Sequence, residues 1–182
     1  NRDVLEVACG TGFWTAVAIQ VARTIVAIDA VPETLEIARA KRLGPRVSFS
    51  VADAYDLAAV SGRFDAGLAC FWLSHVPRAS LDAFMRGLAA RLEPGSPVVL
   101  TDNVYVPGVG GDLVWQKGEP DTYKLRTLAD GSQHLVLKNY FGRSELRDVL
   151  GALGRVEVLV FGQCFWWAAC RTHEVINQAD RA

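Results

Sequence analysis

Residues 4–15, V-L-E-V-A-C-G-T-G-F-W-T, constrain the fold of this chain more than any other stretch. An apolar run rich in β-branched residues ends in Glu6, passes two glycines, Gly10 and Gly12, and turns into a helix-like segment. A second apolar run, residues 25–28, ends in Asp29. Strand, glycine loop, helix, strand and acid in that order lay out a nucleoside-cofactor site at the carboxyl ends of a parallel sheet.

The rest of the chain continues the alternation. Strands are predicted at about residues 3–8, 24–29, 47–52, 64–71 and 97–104, with helices over 13–22, 32–43 and from Ser80 onward. Ser80 is read as an N-cap, and Leu81, Phe84, Met85, Leu88 and Leu92 recur at helical spacing. Residues 13–22 are apolar almost all round, which predicts a largely buried helix. A short helical turn is predicted over 54–60. The pattern breaks at 105–140, which holds Pro107, five glycines and scattered aromatics. A connection this long suggests a lid over a site. Ser144 then reads as the N-cap of a last helix. Runs 156–161 and 164–171 form a hairpin that closes the sheet with an antiparallel strand, and 172–182 reads as a frayed tail. The expected fold class is α/β: a three-layer, mostly parallel sheet with helices on both faces, in a single domain.

Composition narrows the function classes. With 182 residues, 51% hydrophobic and 21% charged, the chain suits one globular unit with a sizeable core. Nineteen basic against twenty acidic residues give a net charge of -1 and no Lys/Arg cluster, which argues against nucleic acid. No apolar run reaches membrane-spanning length and no signal peptide is visible, so no membrane partner is expected. Cys9, Cys70, Cys164 and Cys170 form no C-x-x-C pair and read as small reduced core residues of a cytoplasmic protein. The chain starts at Asn1, nearly inside the first strand, so a preceding segment that shapes the substrate site is expected.

The glycine loop discriminates between cofactors. A dinucleotide site wants a third glycine three residues after Gly12, where Thr15 stands. Glu6 would also gain nothing from a pyrophosphate, whereas a ligand with an amine would draw on it. Asp29 lies nineteen residues past Gly10, placed to accept from ribose hydroxyls.

On these residues the sequence resembles the class I S-adenosylmethionine-dependent methyltransferases. E-V-A-C-G-T-G matches the family's first motif, with Ala8 where glycine is usual; I-V-A-I-D-A, residues 25–30, matches the ribose-binding strand. V-A-D-A, residues 51–54, matches the adenine-contacting strand. Residues 63–77 and 92–100 match the fourth and fifth strands. The resemblance implies seven strands, the last inserted antiparallel between the fifth and sixth. It implies S-adenosylmethionine as cofactor and S-adenosylhomocysteine as product. The cofactor contacts it implies are Glu6, Ala8, Gly10, Thr11, Gly12, Trp14, Thr15, Asp29, Ala30, Asp53, Ala54 and Phe71, with Asp53 toward the adenine amine.

The acceptor is less constrained. The activated sulfonium leaves the protein to align groups and exclude water, and a base is needed only for a protonated acceptor such as an alcohol or phenol. His75, after the fourth strand, is the candidate base; its alternative role is to orient the loop before Pro77. Asp102-Asn103 resembles part of the magnesium site of catechol-type O-methyltransferases, but the position of another hard ligand is Cys70. No metal is therefore assigned, and the pair is read as lining the substrate mouth. The fourth-strand loop has C-F-W-L where planar-amine methylases carry N/D-P-P-Y. Trp14, Phe71, Trp72, Trp115, Tyr123, Tyr140 and Phe141 are candidates for an aromatic pocket, while Phe165-Trp166-Trp167 reads as core. The resulting expectation is O- or N-methylation of a small molecule by a monomer or homodimer. The alternatives are a non-catalytic cofactor-binding or partner-stabilising module and, further off, a nicotinamide oxidoreductase.

Overall fold

The computed structural model describes residues 1–174. Five strands, β1 (Asp3–Val7), β2 (Thr24–Asp29), β3 (Val47–Val51), β4 (Ala66–Cys70) and β5 (Pro97–Asn103), run parallel. Helices α1 (Phe13–Ala18), α2 (Pro32–Ala40) and α3 (Leu81–Ala90) connect them. Three short strands follow: β6 (Asp112–Trp115), β7 (Thr122–Thr127) and β8 (Gln133–Leu137). Helix α4 (Arg143–Gly151) then leads into the hairpin β9 (Gly154–Phe161) and β10 (Phe165–Thr172). The seven-stranded sheet has the order β3-β2-β1-β4-β5-β10-β9, with β10 antiparallel to both its neighbours. The last strand therefore enters between the fifth and sixth, as the resemblance implies. Among the described residues no helix is long and apolar enough to cross a membrane.

Strand alternation divides the core in two. Leu5, Val7, Val98 and Leu100 point to one face, where they join Phe84, Met85 and Leu88 of α3 and Leu146 and Leu150 of α4. Ile25 and Ala27 point to the other, against Ile19, Ala22 and Leu35. On this second face β5, β9 and β10 leave Val99, Val158, Val160, Phe165 and Trp167 exposed. Two expectations fail. Of Phe165-Trp166-Trp167 only Trp166 is core, since its neighbours alternate outward and stay exposed. Residues 13–22 do not form a largely buried helix: α1 ends at Ala18, and Phe13, Val17 and Val21 are 62%, 50% and 76% exposed.

Smaller departures have local causes. Ser80 precedes α3 with φ -102° and ψ -6° and makes no side-chain capping bond. Ser144 lies inside α4, whose N-cap is Gly142. The turn over 54–60 contracts to a 3-10 segment, Leu57–Ala59. Cys164 is exposed at the hairpin turn instead of packed in the core. Thr172 is not frayed: it ends β10 and is buried, its hydroxyl accepting from Ser96 N at 2.9 Å and donating to Glu93 O at 2.9 Å. The rest of the expected tail beyond residue 174 lies outside the described residues.

The 105–140 segment, which sequence leaves irregular, folds as the antiparallel sheet β6-β7-β8. Lys138 and Asn139 fasten it to the loop after β4. Asn139 N donates to Ser74 O at 2.7 Å, and Asn139 Nδ2 donates to Val76 O and to Asp121 Oδ1 at 3.1 and 2.8 Å. The Asp121 carboxylate also accepts from Arg78 N. These are buried groups with their hydrogen bonds made, the condition under which a polar tether stabilises.

Candidate functional site

The loop 8–12 lies at the carboxyl end of β1, and the end of β2 holds it. Cys9 N donates to Ile28 O, and Gly10 N donates to the Asp29 carboxylate at 2.8 Å. The other Asp29 oxygen accepts from Val31 N at 3.0 Å and Thr34 Oγ1 at 3.3 Å. Asp29, only partly buried, thus locks the glycine loop to the end of β2. Gly12 has φ +73°, and a Cβ there would sit 3.0 Å from Ala38 Cβ, so this glycine lets the loop rest on α2. Gly10, at φ +54°, has nothing within 4 Å of its Cβ position: the loop opens there into free space.

Ala8 takes φ +53°, which explains why glycine is usual at this position of the motif. A left-handed alanine is strained by about 1–2 kcal/mol, partly offset by glycine's greater entropy when unfolded. Ala8→Gly is therefore expected to stabilise the protein by roughly 0.5–1 kcal/mol in chemical denaturation, and an unchanged or lower midpoint would refute the strain.

Glu6 is 1% exposed, its Oε2 has no hydrogen-bond partner, and burial pushes its carboxyl up to about 7. Thr15 pulls the other way, although its fully buried hydroxyl also lacks a partner among the described residues. An orphaned buried carboxyl beside an open glycine loop fits a ligand that brings an amine.

Around this loop the remaining predicted residues gather unevenly. Phe71, at φ +58° just past β4, stacks on Trp14 at 6.2 Å and meets Phe165 edge-on at 5.6 Å. A left-handed phenylalanine at a strand end is a strained position of the kind that collects at sites. Asp53 is exposed beyond β3, one oxygen accepting from Tyr55 N at 2.8 Å; Ala54 is buried; Thr11 and Ala30 are exposed on the rim. Trp72 packs near Tyr55 and Phe84. Trp115 stands apart, 66% exposed on β6.

Asp102 does not line a mouth. It is fully buried, accepting from Ser74 N at 2.8 Å, Ser74 Oγ at 2.9 Å and Asn103 N at 2.7 Å, with Lys138 Nζ at 3.3 Å. Alternation on β5 turns Asp102 inward and Asn103 outward. Lys138, also buried, donates to Ser74 Oγ at 2.6 Å, and burial draws its ammonium below the usual lysine value. The half-buried His75 meets Leu137 O through Nδ1 at 2.9 Å. Burial first, then the Lys138 charge, lowers its pKa. A carbonyl partner assigns the ring proton to Nδ1 and leaves Nε2 with a lone pair. Sequence reasoning gave Lys138, Asn139 and Asp121 no structural role, because a buried lysine within a strand-like run carries no periodic signal.

Beyond Phe165 lies a cavity of about 280 Å³ between the end of β5 and the small sheet. Asn103, Val104, Arg126, Lys138, Tyr140 and Phe165 are among its lining residues. Phe165 also touches Phe71, so one aromatic run leads from the glycine loop to the cavity.

Comparison with known proteins agrees with this geometry. A family model described as a methyltransferase domain matches residues 4–95. A ubiquinone biosynthesis O-methyltransferase of Xanthomonas campestris pv. campestris (strain B100) is 35% identical over 146 residues, covering 79% of this chain and 58% of that protein. Against the Xanthomonas axonopodis pv. citri (strain 306) protein of the same name the match covers 41% of that protein at 36% identity, so the chain spans about half the length of these curated relatives. A solved DhpI–SAH complex superposes with a TM-score of 0.76 at 28% identity, covering 94% of this chain and 76% of the other. Cofactor loop, strand order and these likenesses converge: the chain belongs to the class I S-adenosylmethionine-dependent methyltransferase family.

Proposed function

We propose that this chain transfers the methyl group of S-adenosylmethionine to a small-molecule acceptor bound beneath the β6–β8 sheet. The observation that carries the reading is the unpartnered, buried Glu6 carboxyl beside the open Gly10 loop. When bound, the sulfonium cofactor supplies an activated methyl group. Glu6 meets the methionine amine through the loop or a water. Gly10 and Gly12 leave room for the methionyl group, Asp29 accepts from the ribose, and Asp53 from the adenine amine. Trp14 and Phe71 shield the approach from water and offer aromatic faces to a cation. The folded insertion and its cavity support turnover over a bare binding module.

His75 is the proposed proton acceptor for a hydroxyl acceptor, through the Nε2 lone pair. Its lowered pKa keeps it neutral at neutral pH. The acid limb of kcat/KM is then expected below about pH 6.5, the unperturbed histidine value. In His75→Gln that limb should vanish and kcat fall by roughly a hundredfold; an unaltered pH profile would leave His75 only its loop-orienting role.

Calorimetric titration with S-adenosylhomocysteine tests the first layer, and no binding at millimolar ligand would sink the reading. Asp29→Ala should weaken that binding at least tenfold, about 1.4 kcal/mol, because it removes both the ribose acceptor and the lock on Gly10.

A further inference from the structure

The cavity beside β5 carries more positive charge than its own acids answer. Lys138 is answered by Asp102, with Nζ 3.3 Å from Oδ1. Arg126, exposed on β7, is not: among the described residues it makes no ion pair and no hydrogen bond engages its guanidinium. Strand alternation places Arg126 and Lys124 on one face of β7, and Lys138 follows β8 on the same side. Lys124 is spoken for: it is buried, donates to Val109 O and Gly111 O, and lies over the rings of Tyr105 and Tyr140. It thereby pins the 106–111 loop over the cavity and does not line it. Lining cations minus lining acids, counting Asp102 behind Lys138, leave one positive charge, that of Arg126.

We infer that the acceptor bears a carboxylate, held by the Arg126 guanidinium with the remaining Lys138 ammonium hydrogen, while its other end extends past Phe165 toward the glycine loop. This rests on the proposed methyl-transfer site and names its substrate class. A single surplus charge matches a monoanion better than a phosphoryl dianion, and the planar guanidinium fork suits a carboxylate. The cavity, about 280 Å³, fits a small organic acid and no polymer.

The test titrates the protein, with and without S-adenosylhomocysteine, with three charge-differing pairs: 4-hydroxybenzoate and its amide, lactate and its amide, cinnamate and its amide. At least one carboxylate should bind tenfold or more tightly than its amide, with the gap narrowing at 0.5 M salt. Arg126→Gln should shrink the gap below threefold without altering S-adenosylhomocysteine affinity, and Arg126→Lys should restore part of it. No discrimination in any pair, or discrimination that survives Arg126→Gln, would overturn the inference; so would inorganic phosphate outcompeting every carboxylate. Failure of S-adenosylhomocysteine itself to bind strikes the methyl-transfer reading instead, and the ligand-free titrations still decide the carboxylate.

Discussion

Asp102→Ala is expected to destabilise the protein by about 3–5 kcal/mol in chemical denaturation, the largest single loss foreseen. Asp102 is fully buried and gathers Ser74 N, Ser74 Oγ, Asn103 N and Lys138 Nζ. Alanine would leave a buried ammonium without its counter-charge and two Ser74 groups without an acceptor. The double variant Asp102→Ala, Lys138→Met should recover most of the loss, because the cost lies in the uncompensated charge and not in the absence of a pair. The pH dependence supplies a second readout. Burial already lowers the Lys138 pKa, and without Asp102 it falls further. The unfolded chain then binds more protons than the native state up to about pH 10, so the variant's stability should rise as pH climbs from 7 toward 10. A loss under 1 kcal/mol, or one that Lys138→Met deepens, would show that the network does not hold the insertion to the sheet.

That network marks where sequence stopped being informative. The sheet was legible because Val4, Ile25, Val47 and their neighbours carry a local signal: apolar, β-branched runs between glycine and proline punctuation. The loop was legible because Gly10, Gly12 and Asp29 have few other reasons to stand at that spacing. The insertion was not. Its strands are four to six residues long and paired only with one another, and their buried polar groups find partners on β5 and the β4 loop, far away in sequence. Nothing local distinguishes Lys138, buried against Asp102, from an exposed lysine such as Lys117. The expected burial of residues 13–22 fails for the same reason, with Phe13 and Val17 of α1 and Val21 beyond it all exposed: periodicity reports which residues are apolar, and burial depends on what else packs there.

Glu6→Gln should raise the stability of the ligand-free protein at pH 8 by up to about 3 kcal/mol and at the same time weaken S-adenosylhomocysteine binding at least tenfold. The Glu6 carboxyl is pushed up from 4.5 to about 7, chiefly by burial. A carboxyl raised in the native state binds its proton there more tightly than in the unfolded chain. Native stability therefore falls as pH rises from about 4.5 through 7 and levels off above it, and the fall is the bound of about 3 kcal/mol. The neutral amide keeps the shape and removes that pH dependence. A ligand amine reverses the balance, since it favours the ionised carboxylate, so binding should release a proton below pH 7. Titrations in buffers of different ionisation enthalpy would detect that release in the native protein and its absence in Glu6→Gln. A buried acid that destabilises the empty fold yet tightens the liganded one is the signature of a binding residue, because a purely structural carboxyl would lose stability on the same replacement. Lower stability at pH 8 in Glu6→Gln, or unchanged affinity, would remove Glu6 from the cofactor site.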